Sequence, residues 1–395
     1  MFTINPNASV CYNPTTLSWN NRTDCCSWMG VHCEETTGQV IELDLACSGL
    51  QGKFHSNSSL FQLSKLKRLY LYFNNFSGSL ISAKFGELSN LTHLDLSHSG
   101  FTGVIPAEIS HLSKLQVLSI STVDPYGLRL GPYNFELLLK NLTQLRKFHL
   151  DSLRGVLPER VFHLSNLEHF ELSSNSLTGS IPSNVSGLQN LQLLYLSSNY
   201  LNGTILSCIF SLPSLFLLDL SNNFFSGKIQ EFKSNTLEFV SVKQNQLQGP
   251  IPKSLLDLQD VQVLILSQNN FSVQIASTVC NLKTLSVLDL GSNHLNRTIP
   301  QCLGEMSGLT VLGLNENSDF SGHHANTLIV TTKSLDLELP RVLTTSMIID
   351  LSRNRFEGYL PSIIGDLVGL RTQNLSHNGL EGIIPASLQH LSVLE

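Results

Sequence analysis

"LQNLQLLYLSSNYLNGTI", Leu188 to Ile205, joins two habits that seldom share one segment. Leu194 and Leu196 alternate with their neighbours as in a half-buried strand, yet Asn199 then stands where the alternation calls for a core side chain. The asparagine returns along the chain. Asn175, Asn199, Asn223, Asn245, Asn269 and Asn293 are 24, 24, 22, 24 and 24 residues apart. A sharp turn after each short strand leaves backbone amides and carbonyls inside, and an unpaired one costs about 1–3 kcal/mol. An inward carboxamide donates and accepts at once, so Asn199 reads as a rung that bonds its own turn and the neighbouring coil.

Most units read L-x-x-L-x-L-x-x-N-x-L-x-G-x-I-P, as in "LEHFELSSNSLTGSIP" from Leu167 and "LSVLDLGSNHLNRTIP" from Leu285. The leucines fill the interior, the glycine permits the turn and Ile-Pro begins the return. This period lies in the leucine-rich-repeat range. One coil cannot bury its apolar stripe, but stacked coils can. The expected fold is therefore a leucine-rich-repeat solenoid, an α/β-type repeat of short parallel strands with 3-10 or helical turns and a concave sheet.

Four segments follow from the spacing. Residues 1–39 form a partial cysteine-containing cap, and 40–314 carry repeats with an irregular insert near 121–144, expected as a loop and a short helix. Residues 315–346 interrupt the period, since Leu314 to Leu351 spans 37 residues. Repeats resume over 347–395. After Leu150 the coil skips its asparagine position, as in-frame loss of repeats would produce.

The net charge of -6 is spread without basic or acidic runs, which speaks against nucleic acid as a partner. No stretch has the length and apolarity of a spanning helix, and the start lacks a secretory signal. Five of the eight cysteines, Cys11, Cys25, Cys26, Cys33 and Cys47, crowd the N-terminal region as in a disulfide-stapled secreted module. Zinc is the competing reading, but "DCCSWMGVHC" contains no CxxC pair. Asn-x-Ser/Thr acceptors at Asn7, Asn21, Asn57, Asn75, Asn90, Asn141, Asn184, Asn202, Asn270, Asn296 and Asn374 exceed the about six that composition gives by chance, which points to a secretory history.

The L-x-G-x-I-P half-unit and "WNNRTDCCSWMGVHC" resemble the plant extracellular class of leucine-rich-repeat proteins, whose coils form a right-handed curved superhelix. "NLSHNGLEGIIPASLQHLSVLE" and "TTKSLDLELPRVLTTSMIIDLSRNRFEGYLPSIIGDLVGL" are similar to the tomato Cf-type disease-resistance receptor-like proteins. That resemblance implies the extracellular face of the plasma membrane, recognition of a pathogen-derived protein or peptide, and signalling through a partner leucine-rich-repeat receptor kinase. It also implies a Cys26–Cys33 bridge. Against the family pattern, the chain starts inside the cap and stops at Leu394-Glu395 without a C-terminal cap or membrane helix, which reads as truncation. Alternatives are a secreted inhibitor resembling the polygalacturonase-inhibiting proteins, which are shorter and lack the interruption at 315–346, and a non-functional remnant of a receptor gene cluster.

Cys280 and Cys302 occupy nearly equivalent places in adjacent coils, so a bridge is expected there. Cys25 is expected to turn to Cys11, and Cys208 has no evident mate. No G-x-S-x-G, HExxH or P-loop is present, and His323 and His324 have no ligand spacing around them, so no enzyme, metal or cofactor is expected. A binding face is the stronger reading. The residues alternating with core positions are Arg68, Tyr70, Tyr72, His93, Lys147, His149, His169, Glu171, Tyr195, Phe239 and Lys243, and they project from the concave sheet. Tyr70 and Tyr72 depart most from the usual Asp and Ser, whereas Asp95, Asp219 and Asp289 read as solvated framework. Gln373 takes an interior position that Leu194 and Leu288 fill elsewhere.

Overall fold

The computed structural model describes residues 3–4, 15–122, 128–130, 132–151, 153–285, 287–300, 302, 328–332, 335–339, 347–366, 370–392 and 394. They fall into two units, Met1–Thr178 with Asn184–Leu191, and Gly179–Ser183 with Gln192–Glu395. Each is built as the expected leucine-rich-repeat solenoid.

In the first unit, Val31–Cys33 runs antiparallel to Val40–Asp44. Parallel strands Arg68–Tyr70, His93–Asp95, Val117–Ile120, Lys147–Leu150 and His169–Glu171 follow in sequence order. The strands are short because only one or two side chains of each can enter the core. Leu69, Leu94, Leu118, Phe148 and Phe170 are at most 1% exposed, while the residues beside them are half-buried or exposed. A second parallel sheet, Ser79–Leu80, Phe101–Val104 and Leu128–Arg129, forms where each coil turns back. The 3-10 turns Ala83–Glu87, Ala107–His111 and Glu159–His163 complete the coils. Phe54 packs against Phe76, Phe85 and Phe101 with ring centroids 5.6, 5.6 and 5.7 Å away, filling the interior between coils.

In the second unit the strands Leu193–Tyr195, Leu217–Asp219, Phe239–Ser241, Val263–Ile265, Val287–Asp289, Met347–Asp350 and Leu370–Asn374 form the main parallel ladder. Asp289 pairs with Asp350, and Asn296 and Arg297 with Arg355 and Phe356, so one coil follows the next across the intervening segment. That segment contains an antiparallel hairpin, Leu328–Thr332 with Leu335–Leu339. His323 and His324 lie outside the described residues. In the region near 121–144 of the first unit, the α-helix Pro132–Leu138 precedes Lys147–Leu150.

The turn chemistry explains the recurring asparagine. In the second unit, Asn223 Oδ1 accepts from the Leu201 amide at 3.0 Å, and its Nδ2 donates to the carbonyls of Leu196, Leu220 and Ser221 at 2.9, 3.3 and 3.0 Å. Asn245, Asn269, Asn293, Asn354 and Asn378 repeat this pattern, and Asn74 and Asn175 do so in the first unit. For Asn199 the bonds to its own turn run to the Leu196 and Ser197 carbonyls at 3.2 and 3.1 Å. The residue just before each asparagine is left-handed, as at Ser198 (φ 55°), Asn222 (φ 52°) and Gln244 (φ 54°), a conformation that costs a side-chain-bearing residue about 1–2 kcal/mol. The amide network offsets that strain. In "LDLSHSG" a serine replaces the asparagine, and Ser99 Oγ donates to the Leu71 carbonyl at 2.5 Å while accepting from the Asn74 amide. The shortened coil after Leu150 has no such residue, and Asn175 of the next coil takes up both Leu150 O and Leu153 N.

Cys26 is bridged to Cys33 with Cα atoms 5.5 Å apart, and Cys280 to Cys302 with Cα atoms 5.7 Å apart. Cys47 is also disulfide-bonded. Cys25 is a free thiol, which corrects the expected pairing with Cys11. The neighbouring Cys26 takes the bridge in the three-residue turn Cys25–Ser27. Cys208 is free as well. Asp24, Cys25 and Cys26 approach one another, but the Cys26 sulfur belongs to its disulfide, leaving two donors where a structural zinc takes four. The two cap tryptophans stack at 4.9 Å, with Trp19 Nε1 donating to Met29 O and Trp28 Nε1 to Thr23 Oγ1.

Candidate ligand-reading face

Because neighbouring strands pair in register, the residues that alternate with the core line up in rows. In the first unit one row is Glu42, Arg68, His93, Val117, Lys147 and His169, and a second is Asp44, Tyr70, Asp95, Ser119, His149 and Glu171. The expected positions Arg68, Tyr70, His93, Lys147, His149, His169 and Glu171 therefore share one sheet face. Arg68 Nη1 lies 3.2 Å from Glu42 Oε2, and the Tyr70 and His93 rings meet edge to face at 6.3 Å. Tyr72 follows the strand, its ring 5.8 Å from Phe73, which in turn stacks on His98 at 5.0 Å.

A chain of polar contacts crosses this face. Asp151 Oδ1 is 3.3 Å from His149 Nε2, His149 Nδ1 is 3.2 Å from Ser119 Oγ, Ser119 Oγ is 2.5 Å from Ser97 Oγ, and Ser97 Oγ donates to Asp95 Oδ1 at 2.6 Å. Burial pulls the His149 pKa down, but the hydrogen bond to Asp151 and the charges of Asp151, Glu171 and Asp95 outweigh it, so the net shift is upward. For His93, burial and then the Arg68 charge hold the imidazole below its ordinary value. Burial, helped by Lys147 and Arg146, does the same at His169. Tyr70 and Tyr72 are raised, first by burial and then by nearby carboxylates, and stay neutral phenols.

The Asp–His–Ser connectivity has the order of a hydrolytic triad, but here it is one stretch of a longer polar chain that runs on through Ser97 to Asp95. Ser119 Oγ also engages Ser97, and the backbone of the strands on either side is taken up in the sheet ladder among the described residues. The chain of contacts holds His149 in one orientation, and its upward shift favours the protonated ring.

Several outward carboxylates have local work. Asp44, Asp95, Asp219 and Asp289 each accept the amide two residues on, at 3.0, 2.9, 3.0 and 3.1 Å. Glu171, a candidate contact, does the same for Ser173 at 2.9 Å. The solvated reading of Asp219 and Asp289 is corrected: they are 3% and 1% exposed, because the turn closes over the carboxylate that caps it.

In the second unit Tyr195, Phe239 and Lys243 lie in or just after the strands and are half-buried. Sequence reasoning missed their surroundings. The row that includes Phe239 is Leu193, Leu217, Phe239, Val263 and Val287, apolar throughout. The strand alternation carries that signal, but leucine and valine on a strand read as core, whereas charged and aromatic side chains read as contacts. Ser97 and Ser119 in the first unit were missed for the same reason.

Of the glycan acceptors, Asn21, Asn57, Asn75, Asn141, Asn184, Asn202 and Asn270 are exposed, Asn90, Asn296 and Asn374 are half-buried, and Asn7 lies outside the described residues. No helix among the described residues is long and apolar enough to cross a membrane.

Comparison with known proteins agrees with this architecture. The "Leucine rich repeat" family matches residues 64–122, 143–201 and 165–225, a second "Leucine Rich Repeat" family matches 284–306 and 374–391, and the "Leucine rich repeat N-terminal domain" matches 4–34. A receptor-like protein Cf-9 homolog of Solanum lycopersicum is 58% identical over 209 residues, 44% of this chain and 24% of the relative. The chain thus spans about a quarter of the length of the curated relatives it matches. Among solved structures, the PEPR1–AtPEP1 crystal structure superposes with a TM-score of 0.69 at 25% identity, covering 97% of this chain and 52% of that one. The crystal structure of a TDR receptor gives a TM-score of 0.69 at 28% identity, covering 87% and 57%.

Proposed function

Since the chain is a leucine-rich-repeat protein of the Cf-type plant receptor-like class, we propose that it is part of the extracellular recognition region of such a receptor. In this reading it binds a pathogen-derived protein or peptide and signals through a partner receptor kinase. The observation that carries the reading is the continuous register of the first unit, which presents Arg68, Tyr70, His93, Lys147, His149, His169 and Glu171 on neighbouring strands. Rigid aromatic and charged side chains on a fixed ladder give anchors with little ordering cost. The likeness to PEPR1–AtPEP1 and to the TDR receptor supports a receptor role.

The test passes culture filtrate of a leaf pathogen over the immobilised chain, with the Arg68→Ala/Tyr70→Ala variant alongside. The reading expects a retained component whose affinity falls about tenfold or more in the variant, the loss of one good anchor, with a melting temperature lowered by no more than about 4 °C. Equal retention by both proteins would refute the assignment of this face.

A further inference from the structure

The second sheet of the second unit exposes an aromatic pair that neither the core nor the reading face uses. Tyr200 is 54% and Phe224 47% exposed, and their rings lie parallel within 13° at 6.1 Å. Both belong to parallel strands, Tyr200–Gly203 and Phe224–Gly227, whose buried residues are Leu201 and Phe225. The register pairs Asn202 with Phe224. Tyr200 precedes Asn202 by two residues on the same strand, and both are exposed while Leu201 between them is buried, so they project from one face. Asn202 heads the acceptor Asn202-Gly203-Thr204. Two apolar rings thus flank a glycan attachment point along and across the strand.

We propose that Tyr200 and Phe224 form the platform on which the first N-acetylglucosamine of an N-linked glycan at Asn202 lies. This rests on the extracellular reading above. In the transfer, the bond from Asn202 Nδ2 to the sugar C1 forms as the C1–O bond to a lipid pyrophosphate-linked oligosaccharide breaks. The amide gives up one proton and the lipid pyrophosphate leaves. A β-linked pyranose carries axial C–H groups on its faces, and an apolar face of that kind covers aromatic rings that otherwise stand in water. The molecule contains its own control. Asn296 holds the equivalent place in a later coil, three residues after the inward Asn293, and there the flanking residues are His294 and Arg355.

The chain is secreted from plant cells, site occupancy is read by glycopeptide mass spectrometry, and the folded glycoprotein is exposed to a peptide-N-glycosidase over time. The sugar at Asn202 is released about fivefold more slowly from the parent than from Tyr200→Ala/Phe224→Ala, a factor of the size that aromatic contacts give. The alanine pair leaves the rate at Asn296 unchanged, whereas Tyr200→Phe/Phe224→Tyr keeps the slow rate at Asn202. A melting curve confirms that each variant is folded. An unoccupied Asn202 beside occupied neighbours, or a release rate indifferent to the alanine pair, overturns the platform. Bare asparagines at every acceptor overturn the extracellular reading, and the platform with it.

Discussion

In the first unit the outer row Glu42, Arg68, His93, Val117, Lys147, His169 is ionisable at every position except Val117, whereas the row in the second unit, Leu193, Leu217, Phe239, Val263, Val287, is apolar throughout. Beneath both rows lies a buried apolar core, and the left-handed residue with an inward amide recurs in both units, at Phe73–Asn74 and Ser174–Asn175 in the first and at Asn222–Asn223 and Gln244–Asn245 in the second. The turn thus fixes the coil and leaves the outward positions open. A polar row suits ligands with charge and hydrogen-bonding groups, and an apolar one suits contacts driven by burial.

If the framework bears the stability, removing one of its buried amide rungs gives the largest effect. Asn354 joins coils separated by a long stretch of sequence, accepting from Leu295 N at 3.1 Å and donating to Leu290 O at 3.1 Å. Asn354→Ala leaves several buried groups unpaired and is expected to cost about 3 kcal/mol in urea unfolding. A cost under about 1 kcal/mol would show that the rung is dispensable.

The next effect has the opposite sign. Gln373 pairs with Ile349 in the ladder, at the register of Leu288, and its Nε2 is buried with no hydrogen-bond partner among the described residues. Gln373→Leu is expected to raise stability by about 2 kcal/mol, the scale of an unsatisfied buried amide, and an unchanged urea midpoint would contradict this. Smaller again is the strain at Val273, where a β-branched residue takes the turn position of Gly203 and Gly227 at a φ of 77°. Val273→Gly is expected to stabilise by about 1 kcal/mol, read as a raised melting temperature, because relief of the positive φ exceeds the entropy that glycine adds to the unfolded chain.

The smallest effect is confined to the polar face. His149 has a raised pKa in the folded protein, so its contribution is fully present below the unfolded value of about 6.5 and is lost as pH rises through the folded value. His93 and His169 are shifted down, so their protonation opposes folding on the acid side. His149→Gln is therefore expected to lose more stability relative to the parent at pH 5.5 than at pH 8. A pH-independent difference in melting temperature would show that the Asp151 contact does not hold the charge.

The repeat and its asparagine were legible in the sequence because backbone satisfaction recurs at a fixed period. Leu194, Asn199 and Gly203 announce their roles by position alone. The outward positions were legible only as positions. That Arg68 meets Glu42 and that His149 reaches Ser97 through Ser119 depends on which residues the register sets side by side, and coils of unequal length hide that register. Asp219 and Asp289 were misread because an aspartate on an outward position suggests water, while the closing turn covers it. The apolar row from Leu193 to Val287 went unseen because leucine and valine in a strand suggest core. Cys25 shows the limit of counting cysteines: Cys26 bridges Cys33 as the resemblance implies, but nothing in the spacing marks Cys25 as a free thiol instead of a partner for Cys11.

Framework and reading face can be separated most directly within one coil, by urea unfolding of Asn74→Ala beside Arg68→Ala/Tyr70→Ala. Asn74 bonds Leu50 N, Leu45 O and Leu71 O at 2.9, 2.8 and 2.8 Å, whereas Arg68 is exposed and Tyr70 half-buried. The account predicts a loss of about 3 kcal/mol for the asparagine variant and of about 1 kcal/mol or less for the face variant. The reverse order would contradict it.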